Sequence, residues 1–163
     1  MERLTGMLMI QKITNSQNGF LILRPMQPED TDILSHIYLD TRVANFFWLE
    51  SPALSDFSAD SSGELVQVAV IDGEIVGFAS LSTWDSFLHL LFVKDNFQKK
   101  GIGAALLKWA RQTAKKPLEL KVVTYNTRAR HFYEREGFKN IAHSNTNNPA
   151  NVTYRDDRNS QKI

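Results

Sequence analysis

Residues 88–107, LHLLFVKDNFQKKGIGAALL, join an apolar run, a short polar loop and a glycine pair at the head of an amphipathic stretch. The near-continuous apolar run 87–93 predicts a strand covered on both faces. Beyond Gly101, positions Ile102, Ala105, Leu106, Trp109 and Thr113 share one helical face, with Lys108, Arg111, Gln112 and Lys115 on the other. A strand ending at Val93 and a helix opening near Gly101 aim several unpaired amides at one point, an arrangement suited to a phosphate or diphosphate. Gly101 and Gly103 remove the Cβ atoms that would hold such a group off the backbone. Lys99 and Lys100 add charge at the rim. Two familiar phosphate loops do not fit. A nucleotide P-loop needs Lys-Ser/Thr where Ala104-Ala105 stands, and a dinucleotide fingerprint needs a third glycine where Leu106 stands. The glycines alone leave a plainer reading open, in which Gly101 ends a loop and Gly103 permits close helix packing.

Outward from this stretch, ELVQVAVIDGEIVGFASLS (64–82) holds two β-branched runs around Asp72-Gly73, a dipeptide suited to a tight hairpin. FLIL (20–23) reads as a strand. Pro28, Glu29 and Asp30 open a helix whose inner stripe is Ile33, Leu34 and Ile37. Residues 39–63 carry an aromatic knot, Phe46-Phe47-Trp48, and then a Ser/Asp/Pro-rich loop. LELKVVTY (118–125) predicts another strand. Asn126 caps a helix with Ala129, Phe132 and Tyr133 inward, ended by Gly137. FKNIAH and NVTYR supply a sixth and a seventh strand. Hairpins require antiparallel pairs and helical crossovers parallel ones, so the class is α/β with a mixed sheet. Residues 1–19 read as a leader, partly an added strand or a disordered arm; 20–155 form a single domain; 156–163 form a frayed tail.

The 163-residue chain fits one domain. With 19 basic and 18 acidic residues its net charge is +1, which disfavours a nucleic-acid partner. It contains no cysteine, which excludes disulfides, thiolate metal sites and acyl-cysteine chemistry. The opening residues lack the pattern of a signal peptide, and no apolar run is long enough to span a membrane. A cytoplasmic protein without a membrane partner is the expectation.

LHLLFVKDNFQKKGIGAALL resembles the strand, diphosphate loop and helix of the GCN5-related N-acetyltransferase (GNAT) superfamily. Its Q/R-x-x-G-x-G/A signature stands here as Gln98-Lys99-Lys100-Gly101-Ile102-Gly103. NTRARHFYEREGF (126–138) is similar to the superfamily's later motif, and LILRPMQPED to its opening strand. The resemblance covers residues 20–143. It implies a mixed, largely antiparallel sheet of six to seven strands with helices on both faces, splayed between the fourth strand (87–93) and the fifth (118–125). It also implies acetyl-CoA as donor, no metal, and direct transfer of the acetyl group to a primary amine of a small molecule or protein. Dimers among relatives make a homodimer an expectation.

The same resemblance assigns the coenzyme's diphosphate to the main chain of Gln98, Lys99, Lys100, Gly101, Ile102, Gly103 and Ala104. It assigns the pantetheine arm to the main chain of Leu91, Phe92 and Val93. Tyr133 matches the general acid, with Asn126 two helical turns earlier on the same face. A phenol is reliably protonated at neutral pH, but it can equally be a core aromatic with its hydroxyl at the surface. His89, read as sharing a strand face with Phe87, Leu91 and Val93, is a candidate base, or a half-buried strand residue, or a wall of the acceptor pocket. Asp85 is a second candidate, for base or for acceptor contact, or else a turn residue. Glu50, Asp56 and Asp60 hint at a cationic acceptor. The alternative function is a non-catalytic acetyl-CoA sensor or partner module.

Overall fold

The computed structural model describes residues 9–12, 20–146 and 149–156. The chain runs through β1 (Met9–Lys12), β2 (Phe20–Pro25), a single helical turn at Pro28–Asp30, α1 (Thr31–Asn45) and α2 (Asp56–Asp60). There follow β3 (Leu65–Ile71), β4 (Glu74–Ser82), β5 (Phe87–Val93), a short turn at Asp95–Phe97 and α3 (Ile102–Thr113). The chain finishes with β6 (Glu119–Val123), α4 (Thr127–Arg135), β7 (Lys139–Ser144) and β8 (Asn151–Arg155). All eight strands form one sheet in the order β1-β2-β3-β4-β5-β6-β8-β7. The expected count was six to seven; the additional strand is β1, which pairs antiparallel with β2. The reading of 1–8 and 13–19 as leader and of 157–163 as tail lies outside the described residues.

Asp72 and Gly73 take φ angles of 50° and 82°. These are the left-handed values a two-residue hairpin turn requires, and they place Ile71 opposite Glu74. Every neighbouring pair is antiparallel except β5–β6. That parallel pair exists because α3 carries the chain across one face between the two strands.

Two cores flank the sheet. On one face α3 and α4 set Ile102, Leu106, Trp109 and Tyr133 against Leu23, Ala69, Val76, Leu81 and Leu120. On the other, α1 and α2 set Leu34, Ile37, Tyr38 and Phe57 against Val66, Val68, Phe78 and Leu90. Burying each such side chain contributes about 1.5–3 kcal/mol. Ile33 does not join the α1 stripe and is 45% exposed; the buried positions 34, 37, 38 and 41 leave it one step off the inner face. The 39–63 region is more ordered than its composition suggests, with α1 continuing to Asn45 and α2 forming from Asp56.

Charged side chains knit the layers together. Asp30 is buried, accepts the Gln27 amide and two bonds from the Arg24 guanidinium (2.8 and 3.1 Å), and its carboxyl is held below the usual range by Arg24. Arg111, expected on the solvated face of α3, is half-buried instead. Its Nε donates to Asp156 at 2.7 Å, a guanidinium nitrogen donates to the Glu136 carbonyl, and the group lies over the Phe138 ring. Asp156 is therefore buried within the fold, where a frayed tail was expected to start.

Candidate active site

β5 and β6 share a single register pair, Phe87 with Glu119, fixed by the Glu119 amide donating to the Ser86 carbonyl at 3.1 Å. From that joint the two strands part. On β5 the Lys94 amide bonds back to Val76 of β4 at 2.8 Å. By antiparallel alternation Phe92 also turns its main chain to β4, whereas Leu91 and Val93 turn theirs to the gap. The Val93 carbonyl is taken at 3.0 Å by the Gln98 side chain, which also bonds Asp95. Gln98 thus shapes the loop with its side chain.

Among the described residues, no hydrogen bond reaches the amides of residues 99–104; the first partnered amide of α3 is that of Ala105, bonded to the Gly101 carbonyl at 3.0 Å. Lys99 and Gly101 take φ angles of 63° and 86°, and left-handed residues in such a loop curl successive N–H groups inward into an anion-binding concavity. A Cβ placed on Gly101 would meet nothing within 4 Å, so glycine is needed there for its φ and not for packing space. Six free donors at a helix N-terminus fit a diphosphate, the group that acetyl-CoA would present to them.

Tyr133 enters from α4. It is buried among Phe132, Phe138 and Tyr154, burial raises its hydroxyl well above the ordinary tyrosine value, and none of the described residues hydrogen-bonds that hydroxyl. A buried, orphaned O–H costs about 1–3 kcal/mol, a cost that a ligand atom beside it would offset. Asn126 spends its Oδ1 on the helix cap, accepting the Ala129 amide at 3.1 Å, and keeps its amide nitrogen for other use.

His89 stands where the alternation of β5 breaks. Ser80 pairs with Leu90 but Leu81 with Leu88, so His89 is the extra residue of a β-bulge. Leu88 consequently joins the α3 core and Leu90 the α1 core. His89 does not share the face of Leu91 and Val93, as strict alternation predicts; its ring lies near Phe87 and its Nδ1 is 3.0 Å from Glu64 Oε2. Asp85 sits in the exposed β4–β5 turn beside Trp84 and meets none of these groups.

The aromatic knot is not plain core. Phe46 stacks on Trp48 (4.8 Å) and meets Phe92 of β5 at 5.9 Å, while Phe47 and Trp48 meet Tyr125, just beyond β6, at 5.6 and 6.2 Å. A band of rings thus crosses the open end of the gap, with Phe47 78% exposed. Two of the three carboxylates expected to face an acceptor are occupied: Asp56 pairs with Arg42 (3.1 Å) and Asp60 accepts the Tyr38 hydroxyl (2.6 Å), fastening α2 to α1. Local patterns held no sign of Glu64, Tyr125 or the bulge, which emerge only from strand pairing.

The profile of the acetyltransferase (GNAT) family matches residues 23–138. An uncharacterized N-acetyltransferase of Archaeoglobus fulgidus is 41% identical over 105 residues, which cover 56% of this chain and 65% of that relative's length. Among solved structures, apo YjaB from Escherichia coli has a TM-score of 0.69 at 22% identity, covering 83% of this chain and 97% of its own. The yncA structure from Salmonella typhimurium, solved with its cofactor acetyl-CoA, has a TM-score of 0.63 at 19% identity, covering 83% and 91%. At those identities the likeness is one of fold. With the profile spanning most of the sequence and the signature loop set at the splayed strands, the chain belongs to the acetyltransferase (GNAT) family.

Proposed function

We propose that this protein is an acetyl-CoA-dependent N-acetyltransferase that moves the acetyl group directly to a primary amine in a ternary complex. One observation carries the reading: among the described residues the amides at 99–104 have no partner, and they lie in the loop that follows the β5 edge left unpaired beyond the Phe87–Glu119 joint. The loop would hold the diphosphate, and the outward main-chain groups of Leu91 and the Val93 amide would pair with the pantetheine amides as a strand edge does. This directs the acyl end toward the joint, where the bulge lies.

Within that arrangement the amine lone pair forms the new C–N bond as the C–S bond breaks. Tyr133 supplies the proton the departing sulfur needs, and His89 is the candidate to receive the one the amine sheds. The dry surroundings that weaken Tyr133 as an acid also disfavour a bare thiolate, so both partners of that proton transfer are shifted in the same sense. The aromatic band walls the acceptor side. No helix among the described residues is long and apolar enough to cross a membrane.

The test is thiol release from acetyl-CoA across a panel of primary amines: polyamines, amino sugars, amino-acid amides and peptides with free N-termini. Amine-dependent release supports the reading. Tight coenzyme binding with no release on any amine would replace it with the sensor function.

A further inference from the structure

Glu64, the residue before β3, turns its carboxylate onto the sheet surface, where it is only 14% exposed. One oxygen accepts the hydroxyl of the fully buried Ser80, and the other lies 3.0 Å from Nδ1 of His89. Withdrawing a carboxylate from water is costly, and two charge-assisted hydrogen bonds offset that cost. Packing alone would be served as well by an apolar side chain. Of the three groups the imidazole is the most open to solvent, its side chain being 39% exposed.

The arrangement lies at the deep end of the splay. His89 is two residues from the Phe87–Glu119 joint and four from Val93, about 13 Å of strand from the loop end of the gap. Ser80 alternates with Phe78, which belongs to the α1 core, so the network faces the side opposite α3 and its phosphate loop.

We propose that Glu64 is a positioning residue for proton removal: it holds the Nδ1–H tautomer of His89, leaving the Nε2 lone pair to take the proton of the acceptor amine. This rests on the acetyltransferase reading above. A neutral imidazole carries one N–H, and whichever nitrogen is held by an acceptor-only carboxylate keeps it. When Nε2 takes a proton, the same carboxylate stabilises the cation. Other groups around His89 cannot substitute. Ser80 is neutral and Phe87 apolar, Glu119 across the joint is held by Arg155 at 2.9 Å, and Asp85 lies in the exposed turn.

Two measurements test this. In the unaltered protein, 15N spectra of the imidazole at alkaline pH should show His89 with its proton on Nδ1; an Nε2–H ring overturns the proposal whether or not turnover is seen. For Glu64→Gln, kcat should fall about 10- to 100-fold, with coenzyme affinity held. A loss confined to KM, or an unchanged kcat, overturns the relay. Should Glu64→Gln fail to fold, Ser80→Ala, which loosens the carboxylate without removing it, must lower kcat in the same sense to a smaller extent. If the unaltered protein releases no thiol on any amine, the acetyltransferase reading itself falls, and the relay with it.

Discussion

Gly77 of β4 lies against the carbonyl oxygen of Phe92 on β5: a Cβ placed on it would stand 2.7 Å from that oxygen and 3.3 Å from the Val93 Cα. The atoms in the way are main chain and cannot rotate aside. Gly77→Ala must therefore push β5 away from β4, at a cost of about 1–3 kcal/mol. The displaced segment is the one whose outer edge is assigned to the pantetheine arm. We expect a lower melting temperature and a raised KM for acetyl-CoA together; an unchanged melt would show that the strands yield freely.

Tyr133→Phe removes a hydroxyl that no described residue bonds. Thermal stability should hold or rise slightly, because an unsatisfied buried group is lost. Turnover should fall by about 10²–10⁴, the range for a proton donor, while coenzyme affinity stays near its starting value. A variant that melts early but turns over normally would make Tyr133 a packing residue.

The two glycines of the loop separate fold from ligand. A Cβ on Gly103 would sit 3.6 Å from Phe132, an ordinary contact, so Gly103→Ala should fold as before. A methyl beside the amides that the proposed reading gives to the diphosphate should nonetheless weaken acetyl-CoA binding roughly five- to tenfold. Gly101→Ala has room but the wrong φ, and should lose both stability and affinity. Calorimetric titration of both variants decides; undiminished binding by Gly103→Ala would move the diphosphate elsewhere.

Asp30 is held below the usual carboxylate range chiefly by its hydrogen bonds from Arg24. A depressed folded-state value contributes stability above the unfolded value of about 3.9 and loses it as pH falls through the folded value. Asp30→Asn should therefore be less stable by about 1–3 kcal/mol at neutral pH. That deficit should narrow in denaturant titrations as the pH drops below about 4. A deficit independent of pH would assign it to geometry and not to charge.

Local signals made much of the fold legible. The Asp72-Gly73 hairpin, the α3 stripe and the Asn126 cap each depend on residues a few positions apart, and all three recur in the structure. The succession of strand, short loop and helix around Gly101 was legible for the same reason. What local reading missed depends on register. FLHLLFV gives no hint that Leu88 and Leu90 enter opposite cores, because a bulge is a relation between two strands. Glu64 meets His89 across 25 positions, through two strand pairings. Arg111 reads as a solvated helix charge until Asp156 arrives beneath it, and the added strand that residues 1–19 offered finds its place, as β1, only once β2 offers an edge.

Where Phe87 meets Glu119 the layer is sewn by one rung, and past it no strand pairing joins β5 to β6 among the described residues. Amide hydrogens on Leu91 and Val93 should accordingly trade readily for deuterium in the empty protein and slow when a guest lies along the seam. On the proposed reading the molecule carries an incomplete ladder whose missing rungs acetyl-CoA would bring, so that chemical occupancy and mechanical stiffness would rise and fall as one quantity.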